Sequence, residues 1–68
     1  MFTRNLRNAE HTRRYSILET QAGWVVRQEQ DSQIVRLKEY QDWHRVERAR
    51  RSFAIEADEL EASGWRKE

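Results

Sequence analysis

The chain has no cysteine, no proline and only two glycines. Without cysteine there is no disulfide framework and no thiolate zinc site, which suits a reducing compartment. With Gly23 and Gly64 as the only glycines, no Gly-rich phosphate loop can be built. Large aliphatics are also scarce: Leu, Ile, Val and Phe number 13 of 68 residues. Apolar runs reach only two or three residues, as in Trp24-Val25-Val26, so no segment has the length of a transmembrane helix. The start, MFTRNLRNAEHTRR, has no apolar stretch of the kind a secretory signal needs. A cytoplasmic protein is the expectation, with no membrane partner.

What is present is charge and tryptophan. Thirteen bases face 12 acids, for a net charge of +1, and there are three Trp. So small a net charge does not favour disorder. A single small domain is expected, its short supply of aliphatics supplemented by Trp24, Trp43 and Trp65.

Residues 1–13 are polar and aperiodic and carry Arg4, Arg7 and Arg13. They read as a flexible basic N-terminal arm ahead of one α+β domain at 14–68. Between Tyr15 and Tyr40, short β-branched and aromatic runs are broken by turn residues. Gln21-Ala22-Gly23 suits a three-residue hairpin loop, and Asp31-Ser32 a two-residue turn. The second turn would pair Val26 with Leu37, Arg27 with Arg36 and Gln28 with Val35. One face then carries Trp24, Val26, Val35 and Leu37, which reads as the core. The other carries Val25, Arg27, Ile34, Arg36, Lys38 and Tyr40, which leaves the cations in water.

Residues 42–63 read as a helix. Asp42 can cap its N-terminus. Val46, Ala49, Phe53, Ala57 and Leu60 recur at spacings of three and four, with Trp43 beside them, and form a core stripe. Gly64 suits the left-handed residue after the helix, with Trp65 folding back on Leu60. The expected fold class is therefore α+β: a three-stranded antiparallel meander followed by one C-terminal helix packed on one face, β-β-β-α.

Nothing points to an enzyme. The four serines lie in no nucleophile motif, and one helix on one sheet leaves little room for a deep pocket. No cofactor, metal or small-molecule substrate is expected. His44 and Glu47 are spaced like half of a metal site, but no further ligand accompanies them.

The helix charges are the informative anomaly. Arg45, Arg48, Arg50 and Arg51 crowd its first half, and Glu56, Asp58, Glu59 and Glu61 its second. This opposes the helix dipole, at about 0.3–1 kcal/mol per charge near an end. Partners for these charges are expected on the sheet, in the basic arm or on another molecule. The face away from the core stripe holds Arg48, Arg51, Ile55 and Glu59. Two such helices crossed antiparallel at Ile55 would set Arg51 against Glu59 of the other copy. A non-enzymatic interaction module, homodimeric through this face, is the first expectation. The mixed sheet face is the second candidate surface. Nucleic-acid binding is the alternative: 11 of the 13 bases are arginine, which suits phosphate and guanine contacts. Its residues would be Arg27, Arg36, Lys38 and Arg45, assisted by the arm.

Overall fold

The computed structural model describes residues 2–68. In chain order the elements are β1 (Phe2–Asn8), β2 (His11–Thr20), β3 (Gly23–Gln30), β4 (Gln33–Tyr40), α1 (Trp43–Ala62) and a short β5 (Arg66–Lys67). The strands form one antiparallel sheet in the order β4-β3-β2-β1-β5. The class is α+β with a C-terminal helix, as expected, but the sheet has five strands rather than three.

The two extra strands lie at the ends of the chain. Residues 2–8, which read as a flexible arm, pair with β2 along their whole length, from Phe2–Ile17 to Asn8–His11. Leu6 on β1 is fully buried. (Met1 lies outside the described residues.) The turn between β1 and β2 is Ala9-Glu10, with Ala9 at φ 56°. An alanine in that left-handed region carries none of the Gly or Asn signal that marks a hairpin. The 31–32 turn forms where it was expected. Asp31 and Ser32 both have positive φ, 52° and 68°, the pattern whose twist matches paired strands. The Asp31 carboxylate accepts from the Thr12 amide at 3.0 Å and faces His11 Nδ1 at 3.3 Å. The Thr12 N–H and then His11 hold its pKa below the usual carboxylate range.

The β2–β3 turn holds two residues, since Thr20 pairs with Gly23. Gly23 begins β3 at φ 142°, and a Cβ there would collide with the Tyr40 carbonyl oxygen. That backbone can move only by parting the β3–β4 pair. Gly23→Ala is therefore expected to cost more than the usual 0.5–1 kcal/mol of a backbone misfit, roughly 2 kcal/mol or more. A urea unfolding midpoint within error of wild type would refute this.

The helix matches its sequence closely. The Asp42 carboxylate accepts from the His44 amide at 3.0 Å. At the other end, the Trp65 amide donates to Leu60 O at 3.0 Å and the Gly64 amide to Glu61 O at 3.2 Å, the reciprocal pair of a glycine-terminated helix. Val46, Phe53 and Ala57 are buried, and Ala49 and Leu60 pack beside them. They meet Leu6, Tyr15, Ile17 and Val26 from the sheet. Phe53 sits at the centre, 4.9 Å from the Tyr15 ring and 6.3 Å from Phe2 between centroids.

The register of β4 differs from expectation. Beyond the turn, Gln30 pairs with Gln33 and Glu29 with Ile34, but Gln28 then pairs with Arg36. Val35 is the extra residue of a β-bulge. Every later position shifts by one, so Val26 pairs with Lys38 and Arg27 with Leu37. A one-residue shift exchanges the faces. Leu37 consequently leaves the core for the face opposite the helix, and Val35 is exposed as well. Arg36, Lys38 and Tyr40 move to the helix side, level with Gln28, Val26 and Trp24.

Candidate functional site

Three surfaces carry the residues singled out by sequence. The first is the bare face of the sheet. On it Leu18 pairs with Val25, and Leu37 and Ile34 follow along β4. In an antiparallel sheet such diagonal neighbours stand about 7–8 Å apart, within reach of large side chains. Ile34, Val35 and Leu37 are each more than half exposed, and Leu18 is 44% exposed. Among the described residues nothing covers this stripe, because their one helix lies on the other side. Its polar neighbours are balanced: Arg14 and Arg27 against Glu29 and Glu39. Arg27 Nε lies 3.5 Å from Glu29 Oε1.

The second surface is the helix-side flank of β4. This strand is exposed from Gln33 to Glu39, since α1 runs over the strands beside it. Arg36 and Lys38 therefore point to the helix side without being covered. At the same end, Trp24, Glu39, Tyr40 and Arg45 line an open notch of about 470 Å³. Trp43 is half exposed and lies 5.4 Å from Trp24 between ring centroids. Of the four candidate nucleic-acid residues, Arg36, Lys38 and Arg45 thus fall on this flank. Arg27 is separated from them on the bare face.

The third surface is the outward face of α1. Arg48, Arg51, Ile55 and Glu59 are all exposed there, as the spacing requires. Arg51 is already engaged, however, donating to Glu47 Oε1 at 3.4 Å. Glu47 also holds Arg50 at 2.7 and 3.0 Å. These hydrogen bonds, from Arg50 first, depress the Glu47 pKa. They also occupy the carboxylate that sequence placed beside His44. Among the described residues no cluster of three His, Cys, Asp or Glu side chains stands at metal-binding distance.

The acidic half of α1 finds its partner in the segment misread as an arm. Arg4 Nη1 on β1 lies 3.2 Å from Glu61 and 3.5 Å from Asp58. Near the chain ends, Arg7 meets Glu68 at 3.0 Å. The anomaly of acids at the negative helix end is thus partly answered within the fold. The arginines at the other end are less well answered, for Arg45 and Arg48 form no ion pair among the described residues. Arg36 and Lys38 have none either.

One buried group was invisible to sequence. The Tyr15 hydroxyl is fully enclosed and has no hydrogen-bond partner. Burial raises its pKa above the ordinary tyrosine value. Arg13, Gln28 and Glu56 line a shallow cleft beside it.

Among the described residues no helix is long and apolar enough to cross a membrane. Comparison with protein-family models, with curated proteins and with solved structures finds no match.

Proposed function

We propose that this chain is a small non-enzymatic interaction module that forms a homodimer through the bare face of its sheet. One observation carries the reading: the uncovered stripe Leu18–Val25–Leu37–Ile34, with Val35 beside it. Apolar stripes of this kind on a small domain mark interaction sites. A second copy suits the stripe because the charges around it cancel. Two bases and two acids flank it, so the face can oppose its own copy without net repulsion.

Edge-to-edge pairing of β4 is less suited to self-association. Centred on Arg36 or Lys38, it opposes identical cations. Centred on Leu37, it sets Arg36 against Lys38, and centred on Glu39 it opposes two carboxylates. Charged residues on an edge strand commonly prevent such pairing. The outward helix face has one large apolar residue, Ile55, where the sheet face has five.

The magnitudes point to a weak dimer. Complete burial of a Val, Leu or Ile contributes about 1.5–3 kcal/mol, so covering a half-exposed one adds about 1 kcal/mol. The four exposed residues, Leu18, Ile34, Val35 and Leu37, repeated by a two-fold give about 8 kcal/mol gross. Association costs at least about 4 kcal/mol. The dissociation constant expected is in the millimolar range.

Sedimentation equilibrium at high protein concentration tests the reading. The expected result is a dimer indifferent to salt. Ile34→Glu combined with Leu37→Glu should leave a monomer that melts like wild type at concentrations too low for dimerisation, since both positions are exposed. Ile55→Glu should leave the dimer intact. A wild-type monomer, or dissociation by Ile55→Glu alone, overturns the proposal.

A further inference from the structure

The geometry points to a second surface on the opposite side of the sheet: we infer that the flank formed by Arg36, Lys38 and Arg45, with Tyr40 and Trp43, binds single-stranded nucleic acid. The bulge at Val35 is the enabling feature. It turns Arg36 and Lys38 onto the helix side of β4, where α1 leaves the strand uncovered. The two side chains, two residues apart on the strand, stand about 6.8 Å from each other along the backbone. They lead towards the notch that Arg45 shares with Tyr40 and Trp24.

Two properties fit this occupant. The first is charge. None of the three cations has a carboxylate partner among the described residues; Arg13, Arg14, Arg48, Arg66 and Lys67 have none either, so what distinguishes this flank is that its cations lead to exposed rings. Of the acids beside Arg45 in sequence, Asp42 is occupied as the helix cap and Glu47 by Arg50 and Arg51. Unpaired cations in a row suit a phosphate backbone. The second is the ring surface at the end of that row. Trp43 is half exposed and Tyr40 partly so, and unstacked bases gain favourable energy on such rings. A duplex keeps its bases stacked inside and cannot use them. This flank lies away from the bare face, so binding there is compatible with the homodimer but does not depend on it.

The test uses the full chain and a short fluorescein-labelled oligodeoxythymidylate, followed by anisotropy. Binding should weaken with salt, with a slope of log K against log salt of about −2 for three cations. Tryptophan emission should be quenched on binding, and Trp43→Phe should remove most of the quench. Arg36→Glu combined with Lys38→Glu should weaken binding roughly tenfold or more at low salt. The control is Arg66→Glu combined with Lys67→Glu, an equal change of net charge on β5, which should change affinity by less than about twofold. Equal losses from both double variants would reduce the effect to net charge and overturn the inference. So would absence of binding at low salt, or a duplex that binds as tightly as the single strand.

Discussion

Deletion of residues 1–8 should abolish cooperative folding. The segment contributes a complete strand, the fully buried Leu6 and the half-buried Phe2. Truncating one buried Leu to Ala typically costs about 2–5 kcal/mol. A chain of this length has a total stability of about 3–10 kcal/mol. Deletion removes Leu6, the β1–β2 ladder and the Arg4 ion pairs together, and it exposes the edge of β2. Near-ultraviolet circular dichroism should lose its aromatic signal, and the thermal transition should vanish. A deletion variant that still melted cooperatively near the wild-type temperature would return this segment to the status of an arm. Arg4→Ala separates the contributions. Its ion pairs are only part-buried, so the expected loss is no more than about 1 kcal/mol. Most of the effect should therefore reappear in Leu6→Ala.

Phe53→Ala should be nearly as severe. The ring is fully buried between Tyr15 and Phe2, and Phe→Ala at such positions costs about 3–5 kcal/mol. For a domain of 60–100 residues, each kcal/mol shifts Tm by about 4–8 °C. A fall of roughly 15 °C or more is expected, with part of the population unfolded at room temperature. Ile55→Ala, two residues along the same helix but exposed, should stay within about 0.5 kcal/mol of wild type. Similar melting curves for the two variants would show that α1 does not pack as described.

This contrast also marks what was legible in the sequence. The helix was readable to its caps because its determinants are local. Asp42, the stripe from Val46 to Leu60 and the Gly64-Trp65 ending are all fixed by spacing along one segment. β1 was not readable. It has one fully buried residue in seven, and its turn, Ala9-Glu10, adopts a positive φ without the usual residue. Only pairing with β2 makes it a strand, and pairing is not a local property. The β4 bulge escaped for a related reason. Alternation along residues 33–40 fits either face, and Ile34-Val35 offers an apolar residue to both. The choice is made by the extra residue at Val35, which no turn signal announces.

The same slip explains why the candidate residues regrouped. Arg36 and Lys38 joined Arg45 on one flank because the register moved, and Arg27 stayed behind on β3. Leu37 left the core and strengthened the bare face. By contrast, Arg48, Arg51, Ile55 and Glu59 share the helix face that spacing gave them. Helical spacing is rigid, whereas strand register has to be specified.

The cations on β4 have a counterpart at the far border of the sheet, where β5 consists of Arg66 and Lys67. Both free borders of the sheet are thus basic. Copies joined border to border, β4 of one to β5 of the next, would bring like charges together at every junction. Such head-to-tail addition has no natural end and is the geometry of fibres. Stacking through the bare face is different: each copy has one such face, and pairing consumes it. In the proposed homodimer, the charge on the two borders would therefore disfavour growing filaments and leave the closed pair.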